Sequence, residues 1–254
     1  MKTYVIANRK GGVGKSTTAA ALFNWLERTG KRTLLIDLDS QCNVSYAFGI
    51  DVVANQDLTT IADVFSGKAS IKDVMRPTNT VFGFIVPAAE SLVDFDNGSE
   101  QIKIDLKTAL SVVSRRFDYC IIDAPPSLGR LTVSALLAAD YLIIPALADI
   151  FSIQGLNSMV RIVETVQQHN KLLVAGILLT RKNDRLVLTK ALTEMLEEIA
   201  EDMQSKVFKA TIREGVTVRE AMAQQIGLFE YDPSLKSNVA KDYDSFIREL
   251  LEVN

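Results

Sequence analysis

The chain has 254 residues, 48% of them hydrophobic and 23% charged, with a formal net charge of −3. That is enough apolar side chain for one large core and too apolar for a disordered tail. The balance also excludes a polyanion binder that works by bulk charge, so any nucleic-acid contact must be a local patch. Cys42 and Cys120, the two cysteines, lack the paired spacing of a zinc site or a disulfide framework and fit a reducing compartment. The longest apolar stretches are broken by Asp140 and Pro145, short of the roughly 18 to 20 residues needed to span a bilayer. Residues 1–7 lead into a loop without a basic segment and cleavage site, so a cytoplasmic location without membrane contact is expected.

In chain order, residues 4–7 are a short apolar strand, followed by a Gly-rich turn and a helical run over 16–28 closed by Gly30. A second apolar strand, 33–36, ends at Asp37. Short helices are expected at 58–64 and 71–75, divided by Gly67, and a strand at 82–86. The spacing over 102–116 predicts a helix, and 119–122 is a fully apolar strand ending at Asp123 before Pro125 and Pro126. Strands at 141–144, 172–179 and 207–212 then alternate with helices at 153–168, 186–203 and 216–224, and the last helix covers 237–251. Strands apolar on both faces that alternate with helices imply right-handed crossovers, hence an α/β doubly wound fold with a mostly parallel sheet flanked by helices. No repeat, linker or low-complexity tract divides the chain. A single domain over 1–254 is expected, without a separate N-terminal DNA-reading module.

The turn Arg9-Lys10-Gly11-Gly12-Val13-Gly14-Lys15-Ser16-Thr17 joins strand to helix, where backbone N–H groups and a helix N-terminus attract phosphate. Glycines let the backbone approach. Lys15 would reach the β- and γ-phosphates of a nucleotide, the Ser16 hydroxyl would ligate Mg²⁺, and Thr17 would add an α-phosphate contact. The ordinary G-x-x-x-x-G-K-[ST] pattern fails because Arg9 stands where its first glycine belongs. Two apolar strands also end in carboxylates, Asp37 with Asp39 and then Asp123. Ligands of open α/β sheets sit at such strand ends, so Asp39 and Asp123 are expected to converge on the phosphates held by Lys15.

Arg9 to Ser16 resembles the deviant Walker A motif x-K-G-G-x-x-K-[ST] of the ParA/MinD family of P-loop ATPases, with Lys10 as its signature lysine. The resemblance implies ATP and Mg²⁺ as ligands and an ATP-dependent homodimer in which Lys10 reaches the partner's phosphate, adding positive charge where negative charge develops. Residue by residue, it makes Lys10, Lys15 and Asp39 catalytic, with Asp39 orienting the attacking water. It has Asp37 supporting that region and Asp123 holding the magnesium shell through water. Ser16, Asp39 and Asp123 form the metal set. Lys10, Gly11, Gly12, Val13, Gly14, Lys15, Ser16, Thr17, Asp37 and Asp123 bind the nucleotide, with Thr211 and Arg213 flanking adenine. Relatives commonly carry D-x-D-P-Q-G-N where this chain has Asp37-Leu38-Asp39-Ser40-Gln41-Cys42-Asn43, so proline becomes Ser40 and glycine becomes Cys42.

Segments Pro145-Ala146-Leu147, Gln154-Gly155-Leu156, Gly176 to Thr180 and Glu230-Tyr231-Asp232-Pro233 resemble the ParA/Soj branch. This implies non-specific DNA binding by the ATP-bound dimer, release when a ParB-type centromere-binding partner stimulates hydrolysis, and partition of plasmid or chromosome copies. Arg185, Arg213 and Arg219 fall in segments that resemble DNA-contacting regions of the branch. Three alternatives remain open. A MinD-like membrane-positioning ATPase would need a basic amphipathic tail, whereas Asp242 to Glu252 is acidic; Lys10 and the whole-chain resemblance weigh against a metabolic P-loop enzyme; the third is an ATPase that positions a non-DNA cargo on a protein scaffold. His169 near a helix end and Trp25, spaced with Leu22 and Leu26, read as structural.

Overall fold

The structure, a computed structural model, describes residues 1–55, 57–182 and 190–253. The chain opens with β1 (Lys2–Ile6), α1 (Lys15–Arg28) and β2 (Thr33–Asp37). The short helices α2 (Asn43–Ala47), α3 (Ile61–Phe65) and α4 (Ile71–Val74) lead to β3 (Arg76–Pro77), which pairs antiparallel with β4 (Gly83–Val86). Next come α5 (Leu92–Asn97), α6 (Leu106–Ser111), β5 (Tyr119–Asp123), α7 (Arg130–Ala138) and β6 (Tyr141–Ala146). The chain continues through α8 (Ile150–Gln167), β7 (Leu173–Leu179), α9 (Lys190–Asp202), α10 (Thr217–Ala223), α11 (Leu228–Tyr231) and α12 (Asn238–Val253).

Among the described residues the strands form one sheet in the order β3-β4-β2-β5-β1-β6-β7, parallel except for β3. From β1 the chain moves outward to β2 and β4, returns to β5 between β2 and β1, and then continues to β6 and β7 on the other side. The register sets Asp123 beside both Ile6 and Asp37, so the carboxyl ends of β1, β5 and β2 are neighbours. Such a reversal of strand order opens a crevice at the carboxyl edge. Successive side chains alternate between two cores. Tyr4 and Ile6 pack with α1 and α12 on one face; Val5 and Ala7 join the helices from α3 to α9 on the other.

Burial on both faces explains why β1, β2, β5 and β6 are legible as continuous apolar runs. The expected strand at 207–212 is a correction: only the isolated bridges Ile177 with Val207 and Lys182 with Arg213 form. The ladder breaks because the amides of Lys209 and Ala210 are taken by the Glu249 carboxylate of α12, at 3.1 and 3.0 Å. The expected helix 102–116 shortens to α6, which starts where the Asp105 side chain accepts from the Thr108 amide at 2.9 Å. Sequence reading also missed α7, whose N-terminal Leu131 amide donates to Asp96 on α5 at 3.0 Å, a cap 35 positions away.

The last strand is held close to its neighbours by Gly176. A Cβ there would fall 2.5 Å from the Phe208 ring, which in turn packs edge-on against Phe246 with centroids 5.0 Å apart. Gly176→Ala is therefore expected to destabilise the fold by about 1–3 kcal/mol, the usual range for overpacking, with the urea midpoint lowered and its slope unchanged.

Candidate functional site

The turn between β1 and α1 crosses the carboxyl edge of the sheet in its left-handed, glycine-dependent form. Gly12 and Gly14 have φ of 72° and 85°, a region L side chains enter at a cost, and Gly14 forms the N-cap of α1. Three contacts hold the turn, two of them buried. Asn8 donates through Nδ2 to the Pro145 carbonyl at 2.7 Å, and its Oδ1 accepts from the Lys10 amide at 3.0 Å. Thr180, at the end of β7, donates through Oγ1 to the Val13 carbonyl at 2.7 Å. The turn thus hangs from the strands beside it.

A cleft of about 540 Å3 lies over this turn. Gly11, Gly12, Gly14, Lys15, Ser16, Thr17 and Asp39 line one side. The rest of the lining comes from Thr180 and Arg181, the 212–215 segment, Val218, Arg219 and Met222 of α10, and Tyr243 of α12, whose hydroxyl lies 3.2 Å from Thr18 Oγ1. Lys15 is buried, and its Nζ donates to the Lys10 carbonyl at 3.2 Å. Burial lowers its pKa, while Asp123 and Asp39 pull it back up.

Beneath the cleft sit two fully buried carboxylates. Asp37 is well satisfied: it accepts from the Ser45 amide at 2.9 Å, the Ser45 hydroxyl at 2.8 Å and the Asp39 amide at 3.1 Å. Burial nevertheless raises its pKa, against the opposing pull of those bonds. Asp123 has no donor in full hydrogen-bond geometry at either oxygen, only the weaker influence of the Ser16 hydroxyl. Burial first, then Asp37 and Asp39, holds its carboxyl well above the ordinary range, against the opposing influence of Ser16 and Lys15. An orphaned buried carboxylate beside a P-loop serine fits a hydrated cation. Among the described residues no three His, Cys, Asp or Glu side chains gather to hold a metal by themselves. That suits Mg²⁺, which keeps waters and takes phosphate oxygens in place of an all-protein cage.

Several sequence-predicted residues lie elsewhere. The Val13 side chain is buried under the turn and only its carbonyl takes part. Lys10 turns away from the cleft: its Nζ contacts both oxygens of Asp149, the N-cap of α8, at 3.0 and 2.8 Å, and Ser152 Oγ at 3.2 Å. Burial would raise the Asp149 carboxyl, but Lys10 and the Ser152 amide outweigh it and hold the pKa below the ordinary value. Thr211 lines a separate hollow of about 340 Å3 with Lys182, Asp242 and Ser245. Arg213 borders both spaces, its guanidinium forked onto Asp242 at 2.9 and 2.7 Å. Arg219 lines the cleft itself. Arg185 lies outside the described residues.

The family model described as an AAA domain matches residues 1–175. The chain is 33% identical over 258 residues to the sporulation initiation inhibitor protein Soj of Bacillus subtilis strain 168, covering 98% of each. It is equally identical to the chromosome-partitioning ATPase Soj of Treponema pallidum, over 98% of this chain and 97% of that one. The chain belongs to the ParA/Soj/MinD family of deviant Walker A P-loop ATPases. Among solved structures, the ATP complex of Cyanothece McdA superposes with a TM-score of 0.81 at 26% identity, covering 100% of this chain and 97% of that one. For this ParA/Soj/MinD-family chain the P-loop fold and ATP with Mg²⁺ as its general ligands are thereby supported.

Sequence reading missed Asn8, Thr180, Ser45, Asp149 and Ser152. Thr180 ends a segment that resembles the ParA/Soj branch; Asn8, Asp149 and Ser152 reach Pro145 and Lys10 from 137 to 142 positions away and Ser45 reaches Asp37 from eight, contacts that the local sequence does not announce. Cys42, standing where relatives commonly carry glycine, adopts φ 54° and ψ 25° at the N-cap of α2. Burial pushes its thiol up to about 12, with Asp37 adding to the shift.

Two expectations follow from this geometry. Thr180→Val removes the bond to Val13 and should weaken binding of a fluorescent ATP analogue about three- to tenfold, with Thr180→Ser close to wild type. Both buried cysteines should resist iodoacetamide at pH 8 in the native protein and react in urea, because the thiolate of Cys42 is scarce far below a pKa of about 12.

Proposed function

We propose that this chain is an ATP-dependent dimerising ATPase, acting as one domain over residues 1–254, that binds DNA without sequence preference and partitions plasmid or chromosome copies with a ParB-type partner. The observation that carries the reading is the placement of Lys10. The loop presents Lys15 to its own cleft and holds Lys10 outside it, against Asp149, where a second subunit could approach. A lysine placed so serves another copy's phosphates better than its own.

In this reading the loop amides and Lys15 bind the β- and γ-phosphates, Ser16 and Asp123 hold the hydrated Mg²⁺, and Asp39 orients the attacking water. When bound, Mg²⁺ neutralises charge on the phosphate oxygens. Asp37 does not touch substrate; through Ser45 it keeps the start of α2 in place, so Asp39 faces the cleft. Lys10 from the other subunit adds positive charge where it develops during transfer.

ATP that binds the dimer more tightly than the monomer stabilises it by mass action, and pairing two copies joins weak basic patches into one surface for phosphate backbones. The protein would act in the cytoplasm on the nucleoid. Arg213 would have to leave Asp242 to meet DNA, which makes it a conditional contact. The MinD-like alternative has less support: α12 buries Tyr243, Phe246, Ile247 and Leu250 in the core, so its apolar face is already used. No described helix is long and apolar enough to cross a membrane.

With ATP and Mg²⁺, the protein should bind arbitrary duplex DNA, with a log–log salt slope matching release from about 3 to 8 phosphates. Salt-insensitive binding, or binding that ignores nucleotide, would overturn the mechanism; flotation with liposomes in place of DNA binding would favour membrane positioning. Lys10→Ala should retain ATP-analogue binding while partner-stimulated hydrolysis falls at least about a hundredfold.

A further inference from the structure

The lining of the cleft carries three arginines in different electrostatic states. Arg181 pairs with Glu214 at 3.0 Å and Arg213 with Asp242 at 2.7 Å. Arg219 is exposed and has neither a hydrogen bond nor an ion pair among the described residues. It sits on α10 between Val218 and Met222, which line the cleft with it and with the P-loop residues. A space that holds a polyanion and is lined by an unpaired guanidinium has an obvious electrostatic complement.

We propose that Arg219 is a nucleotide ligand, closing on the phosphate chain of ATP in the cleft that Lys15 also lines, and is not a DNA contact. The inference rests on the ATP-binding reading and deepens it. The two arginines beside it are held by carboxylates and contribute little net positive charge to the cleft. Of the cations of this chain that line the cleft, Lys15 is buried at the turn and Arg219 alone is exposed without an ion pair among the described residues. Its planar fork suits two phosphate oxygens at once, which a lysine at the same place would meet only as a point charge. Val218 and Met222 flank it with apolar surface suited to the less polar end of a nucleotide. The same residue falls in a segment with DNA-binding resemblance, so its place in the cleft wall decides between two anions that the sequence leaves equally open.

The test is titration of the full-length protein with a fluorescent ATP analogue and Mg²⁺, without DNA, for wild type, Arg219→Ala and Arg219→Lys. Arg219→Ala should bind about tenfold more weakly, the scale of one charge-assisted contact, and Arg219→Lys should recover part of the loss. An unchanged circular dichroism spectrum and melting temperature are expected, because the side chain is exposed. Duplex DNA binding is then measured at saturating analogue. Wild-type affinity and salt slope for Arg219→Ala would support the assignment. A persistent loss of DNA affinity with a slope shallower by about one phosphate would overturn it in favour of a DNA contact. Equal analogue binding by wild type and Arg219→Ala would overturn it while leaving the ATP site intact. Failure of the wild type itself to bind the analogue would instead remove the ATP reading and this inference with it.

Discussion

The hydrogen bond from Thr180 to the Val13 carbonyl ties the last parallel strand to the turn that follows the first, and the rest of the carboxyl edge is arranged around it. A turn with two residues in left-handed conformation has little to hold it in one shape from within. Thr180 on one side and Asn8 on the other supply that restraint from β6 and β7. Beyond Thr180 the chain bonds to the 212–214 segment, with the Lys182 amide donating to the Ile212 carbonyl at 2.8 Å. The turn and the 212–214 segment of the cleft are therefore braced by the same strand and the residues that follow it.

Under that turn the fold buries acidic groups side by side, an arrangement that costs stability unless a positive charge or a set of donors answers it. The two fully buried carboxylates are answered differently. Asp37 receives three donors and acts as a fixed post for the start of α2. Asp123 receives none in full hydrogen-bond geometry. An unanswered carboxylate next to Ser16 and Lys15 is the expected signature of a site completed by something the protein binds, and perturbed acids gather at such sites.

The cations around the cleft divide in the same manner. Lys10, Arg181 and Arg213 each rest on a carboxylate of their own chain, while Lys15 and Arg219 line the cleft without one. Lys10 is in addition partly exposed and held by a pair that solvent screens, so breaking that pair costs little.

Much of this was legible from residues alone. The apolar runs of β1, β2, β5 and β6, the turn from Lys10 to Thr17 and the acids at the ends of β2 and β5 are local patterns, because a strand buried on both faces and a phosphate turn each impose their chemistry on consecutive residues. The partners of those groups were not legible. Asn8 with Pro145, Val13 with Thr180, Lys10 with Asp149 and Arg213 with Asp242 lie 137, 167, 139 and 29 positions apart. The lost strand at 207–212 has the same origin, since a carboxylate on the last helix takes its amides. The amino-acid sequence by itself determined which groups are available to hold a nucleotide; the tertiary structure decided which are already engaged and which are left facing the cleft, because charge pairing depends on distances in space that the chain order does not contain.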